Sequence, residues 1–152
     1  MRTEEILNYV KKIKEEFKGL SIDPGYICNA FGFPIRKITL NPNVYKAYTT
    51  NVNGTPVISL NVHFDRKSQM LLCAHELGHA LLHKENFYNG YTGDNLTQEY
   101  EANLFALALL LSEEKIKELN IDLKTITNYE MESILTSNLK LNPDNQKYYL
   151  YY

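Results

Sequence analysis

The chain has no excess of positive charge: its formal net charge is -2. A nucleic-acid surface needs a basic stripe or patch, so direct DNA or RNA binding is not expected. Long apolar runs are also missing. No stretch is long and apolar enough to span a bilayer. The N-terminus, MRTEEILNYVKK, is amphipathic and acidic, where a signal peptide would need a continuous apolar segment. Cysteine is scarce, with only Cys28 and Cys73 and no CxxC pair. That argues against a disulfide scaffold and for a reducing cytoplasm. No internal repeat and no flexible linker interrupt the chain. What remains is 152 residues, 44% hydrophobic and 22% charged, enough for one domain with a real core and too few for two comfortable ones.

The pattern along the chain predicts a mostly helical α+β domain. Ile6, Val10, Ile13, Phe17 and Leu20 recur at helical spacing over 4–18, with Lys and Glu on the other face. Thr3 can cap this helix and Gly19 can end it. Asp23-Pro24 reads as a cap followed by proline at the first helical position, and Gly32 would close that second helix. IRKITL (35–40), KAYTT (46–50) and TPVISL (55–60) are rich in β-branched and aromatic residues. With a Val-Asn-Gly turn signal at 52–54, they predict a small antiparallel sheet of about three strands, the last two a hairpin. Asp65 can cap a helix reaching about His83, and a loop follows at 84–94. Asn95 with Gln98, Ser112 before Glu113-Glu114, and Thr127 with Glu130 mark three further helix starts. We divide the chain into one domain over 1–140 and a tyrosine-rich tail over 141–152, which could pack on the domain, add an edge strand or meet a partner.

Chemistry concentrates in Ala74-His75-Glu76-Leu77-Gly78-His79-Ala80-Leu81-Leu82-His83. On a helix, His75 and His79 stand one turn apart on one face, so their imidazoles can converge on one tetrahedral zinc ion. Glu76 is placed to act as general base on a water at the metal without ligating it. Gly78 removes bulk where another element could approach. Two satisfied core histidines would be the bland alternative, but an H-E-H cluster buried without a metal is electrostatically expensive. His83 lies a further turn along and cannot reach a metal held between the other two histidines; capping the helix or lining the cleft rim suits it better. The H-E-x-x-H-x-x-G-x-x-H arrangement is excluded, because the chain has Leu82 and Glu85 where Gly and His would be needed. His63, just before the helix, is a weak candidate for substrate contact and reads more simply as an exposed strand-end histidine.

A catalytic zinc needs a third protein ligand and one open position. The next long helix offers two glutamates, Glu99 and Glu101. Glu99 shares a face with Asn103, Ala102 and Ala106, and the small alanines favour close packing on the histidine helix. Glu99 is therefore the favoured ligand, with Glu101 the alternative and Asn103 placed to orient a ligand histidine from behind. Tyr88, Tyr91 and Tyr100 are candidates for stabilising an oxyanion.

AHELGHALLH followed by EYEANLFALALLL resembles the ImmA/IrrE family of zinc-dependent peptidases, over most of the chain. The resemblance implies a zincin-like fold, gluzincin-type ligation by His75, His79 and Glu99, and Glu76 as catalytic base. In that family the ligand glutamate stands four residues before the Asn of the E-A-N segment, as Glu99 does before Asn103. It further implies a protein substrate, typically a helix-turn-helix repressor encoded nearby, whose cleavage derepresses mobile-element, phage or stress genes. The family usually closes this helix with Leu-Met-Pro, where this chain has Leu111-Ser112-Glu113. A second reading is a regulatory binding protein that keeps the metallopeptidase fold with little activity.

Overall fold

The computed structural model describes residues 2–18, 22–83 and 96–143. The predicted Gly19 stop, the 84–94 loop with Tyr88 and Tyr91, the Asn95 cap and the tail beyond 143 lie outside the described residues.

Among the described residues the order is α1 (Arg2–Glu16), α2 (Pro24–Ala30), β1 (Ile35–Ile38), β2 (Ala47–Val52), β3 (Thr55–Asn61), α3 (Arg66–Leu82), α4 (Leu96–Leu110), α5 (Glu113–Leu119) and α6 (Asn128–Ser137). Mostly helical α+β is therefore the observed class. The caps read from the sequence form as hydrogen bonds. The Asp23 carboxylate accepts from the Gly25 amide, and that of Asp65 from the Ser68 amide, each at 2.9 Å. Ser112 Oγ accepts from the Lys115 amide at 3.1 Å, so the Ser112 departure from the family pattern starts α5 directly after α4. Thr127 and Glu130 make a reciprocal capping box on α6. Thr3, expected as a cap, lies inside α1, which begins one residue earlier.

The sheet corrects one expectation. β2 and β3 form the predicted antiparallel hairpin, but β1 pairs with β3 in parallel, giving the order β1-β3-β2. The cause lies in β3, whose residues Ile58–Asn61 are all buried. A strand covered on both faces belongs in the middle of a sheet. Once β3 inserts between its predecessors, two reversals of direction leave it running the same way as β1. The hairpin turn places Asn53 and Gly54 both at positive φ, 53° and 86°, the combination of a type I′ turn.

α4 is the axis of the domain. Glu101 through Leu109 are buried without interruption, as expected of a helix enclosed on all sides. It packs against α1, α3 and α6. The core joins Ile6, Val10 and Ile13 of α1 to Leu77 of α3, Leu104, Phe105 and Leu107 of α4, and Met131 of α6. Gly78 marks the closest approach of α3 to α4. A Cβ built there would lie 3.1 Å from Phe105 Cβ and 3.2 Å from Ala102 Cα. This contact holds the two helices that carry the candidate ligands at a fixed short separation. At the other end of α3, Leu141 forms an antiparallel bridge to Phe64, and the Asn142 amide donates to the His63 carbonyl at 2.7 Å. His63 is thereby buried rather than exposed, which corrects the sequence reading.

Candidate metal centre

α3 and α4 bring His75, His79 and Glu99 together. One ligand atom from each lies within 4.8 Å of the others. Glu99 Oε1 stands 2.8 Å from His79 Nε2, and its Oε2 stands 3.4 Å from His75 Nε2. Donor atoms about 2.0–2.2 Å from a tetrahedral zinc are separated from one another by about 3.3–3.6 Å, so the spacing fits such an ion with modest adjustment. Two imidazole nitrogens and a carboxylate oxygen are also a donor set that zinc accepts readily. His79 is buried, whereas the Glu99 side chain keeps 24% of its exposure and leaves one side of the cluster open.

Electrostatics support the convergence. Burial disfavours the charged form of His75, but hydrogen bonding to Glu99, the charges of Glu76 and Glu99, and a hydrogen bond with Asn103 outweigh it and raise the pKa. For Glu99, burial raises the pKa, yet the two histidines outweigh it and hold the carboxyl far below the usual carboxylate range.

Glu76 faces the same space. Its Oε2 lies 3.9 Å from His75 Nε2, while its Oε1 accepts a 2.8 Å hydrogen bond from the Thr49 hydroxyl. Thr49 is the buried residue of β2 and escaped the sequence reading. Alternation along KAYTT puts it on one face with Ala47, but nothing local says that this face meets α3. Asn103 is fixed by donating from Nδ2 to Asn128 Oδ1 at 2.9 Å, at the start of α6. Its side chain thus sits between Asn128 and His75.

Two neighbouring groups are also buried. His83 is the C-cap of α3, as read from the sequence, but it is also buried and hydrogen-bonded on both ring nitrogens. Its Nδ1 is 2.9 Å from His79 Nδ1, and its Nε2 is 2.8 Å from Glu101 Oε1. Glu101 points away from His75 and His79, yet it is no surface carboxylate: it is 7% exposed and binds Arg2 Nε through Oε2 at 2.6 Å. Burial foremost lowers the pKa of His83, with the charges of His79 and Arg2 acting in the same direction against the pull of Glu101. Tyr100 turns its hydroxyl toward Thr3 Oγ1 of α1, at 3.5 Å.

The model of the IrrE N-terminal-like domain, peptidase family M78, matches residues 28–135. The chain belongs to the M78 peptidase family. The match spans the sheet, both helices of the histidine–glutamate cluster and most of α6, so the cluster lies within the M78 domain. No curated protein and no solved structure matches the chain. No helix among the described residues is long and apolar enough to cross a membrane.

Proposed function

We propose that this M78 peptidase is a zinc-dependent endopeptidase in which His75, His79 and Glu99 hold the metal and Glu76 is the general base. The convergence of three ligand atoms within 4.8 Å, with the Glu76 carboxylate beside them, carries the reading. Bound there, zinc supplies Lewis-acid polarisation of the scissile carbonyl and makes water a nucleophile near neutral pH. The chain's own residues do the rest. The Thr49 hydroxyl occupies Glu76 Oε1, which leaves Oε2, on the His75 side, free to take the proton from the attacking water. Glu76 then returns that proton to the leaving amine. Asn103, steadied by Asn128, restrains the His75 ring.

The substrate we propose is a cytoplasmic helix-turn-helix repressor encoded nearby, cleaved so that mobile-element, phage or stress genes are released from repression. Family membership supports a protein substrate, and the resemblance of the paired motifs supports the repressor. The net charge of -2 speaks against direct recognition of the operator DNA.

The test is elemental analysis of protein purified without chelator, followed by incubation with the repressor from the adjacent gene. One zinc per chain and repressor cleavage are expected. Glu76→Gln should keep zinc and fold while losing cleavage by about 10²-fold or more. Equal zinc in wild type and His79→Ala would refute the ligand assignment, and undiminished cleavage by Glu76→Gln would refute the base. Binding of the repressor without cleavage by the zinc-loaded wild type would favour the regulatory binding protein.

A further inference from the structure

Behind His79 runs a chain of buried polar groups that neither metal ligation nor proton transfer to substrate uses. We propose that His83 and Glu101, anchored by Arg2 of α1, are positioning residues that hold His79 in its Nδ1–H tautomer and so present its Nε2 lone pair to the metal. The proposal rests on His79 being a ligand and deepens that reading.

The argument is one of hydrogen-bond count. Three contacts stand in series: Glu99 Oε1 to His79 Nε2 at 2.8 Å, His79 Nδ1 to His83 Nδ1 at 2.9 Å, and His83 Nε2 to Glu101 Oε1 at 2.8 Å. Each is a hydrogen bond only when one proton lies in it. Two neutral imidazoles carry two protons, one too few for three contacts between ionised carboxylates. A cation at His79 Nε2 removes the need for a proton in the first contact. The remaining two protons then have only one satisfactory arrangement. His79 donates from Nδ1 to His83 Nδ1, and His83 donates from Nε2 to Glu101. No polar atom of the series is left unsatisfied, and both rings stay neutral.

Burial makes the arrangement consequential. His79, His83 and Glu101 are 3%, 4% and 7% exposed, so water does not readily replace a missing partner. Arg2 completes the series by holding the outer Glu101 oxygen at 2.6 Å, which leaves the inner oxygen facing His83 at 2.8 Å. A donor hydrogen bond to the far nitrogen fixes the ring plane of a ligand histidine and raises its basicity. Here that bond is relayed through a second histidine on the same helix to a carboxylate on α4 and a guanidinium on α1. The N-terminal helix thus bears on the metal site without touching it.

The experiment compares zinc affinity, measured by competition with a chromophoric chelator, with the histidine tautomers seen by nitrogen-15 NMR of the full chain. In the zinc-loaded wild type, His79 should carry its proton on Nδ1 and His83 on Nε2. His83→Leu removes the acceptor and should weaken zinc about 10- to 100-fold. His83→Asn, whose amide oxygen takes the place of Nδ1, should recover most of that loss, which a merely space-filling role would not allow. Glu101→Gln keeps an acceptor for His83 but discards its charge and the Arg2 pair. It should lose less than His83→Leu and serves if the leucine variant does not fold. Zinc binding by folded His83→Leu as tight as wild type, or a His79 proton on Nε2 in the zinc-loaded protein, would overturn the proposal. Failure of the ligand reading itself has a different signature, a wild type that holds no zinc, and the proposal falls with it.

Discussion

Gly78→Ala tests whether the spacing of α3 and α4 builds the site. Alanine is the better helix former, by about 1 kcal/mol over glycine, so an α3 judged alone would be stabilised. The structure predicts the opposite sign. The new methyl would sit 3.1 Å from Phe105 Cβ, 3.2 Å from Phe105 Cδ1 and 3.2 Å from Ala102 Cα. Ordinary carbon contacts are about 3.5–4.0 Å, so the neighbours must retreat by about 0.3–0.9 Å. Ala102 Cα is backbone and cannot rotate away, and Phe105 is fully buried. Overpacking of this kind costs about 1–3 kcal/mol. After subtracting the propensity gain, the net destabilisation is about 1 kcal/mol, or about 2–4 °C in Tm for a chain of this size. The retreat should also carry α4 outward and draw Glu99, one turn before Ala102, away from the histidines. Thermal unfolding of the metal-free protein reads the first effect, and chelator competition reads the second. A Gly78→Ala protein that melts higher than wild type and binds zinc equally well would refute the reasoning, because only the intrinsic helix preference would then be at work.

Glu99→Ala should abolish most zinc affinity, whereas Asn103→Ala should cost about 10- to 100-fold in affinity or activity; equilibrium dialysis that ranks them the other way would contradict the ligand assignment. Thr49→Val keeps shape but frees Glu76 Oε1, so kcat should fall about tenfold with zinc retained, and an unchanged kcat would show that the hydroxyl does not matter to the base. Zinc should also bind less tightly in acid. Zinc needs neutral imidazole, and because the His75 pKa is raised in the metal-free site, proton competition should set in above the ordinary histidine value of about 6.5. Affinity should be level above that folded pKa and fall up to about tenfold per unit below it, with Glu99, whose pKa is lowered, still ionised throughout. Affinity that stays level down to pH 6 would contradict this.

What could be read from the sequence was local. Helix caps need a side chain and an amide two or three residues apart, and Asp23, Asp65, Ser112 and Thr127 all form the bonds their spacing predicts. His75 and His79 are one helical turn apart, so a helix suffices to bring them together. The hairpin turn signal at Val52-Asn53-Gly54 is equally local. What escaped depends on partners far along the chain. β1 runs parallel because β3 takes the central position, a choice made by packing that the alternation within IRKI does not contain. Thr49 meets Glu76 across 27 residues, and Arg2 meets Glu101 across 99. Glu101 was readable as an acidic residue on a largely apolar helix, but its burial follows from α1 crossing α4. His63 looked exposed at a strand end and is covered by the returning segment around Asn142.

The three glutamates around this centre share one chemistry and differ in what surrounds them. Glu99 keeps partial exposure and has two imidazoles as its partners, which fits the ligand role proposed for it. Glu76 is buried on β2's side of α3, with one oxygen engaged by a neutral hydroxyl and the other beside His75. A neutral donor steadies a carboxylate without neutralising it, which suits the base role proposed for Glu76. Glu101 has both oxygens engaged, one by a guanidinium and one by a histidine. That pairing suits the anchoring role proposed for it. Sequence spacing alone left Glu99 and Glu101 in competition for one role. Their environments favour Glu99 for the ligand role proposed here, because a carboxylate's role follows from which of its oxygens are free and what charge stands opposite.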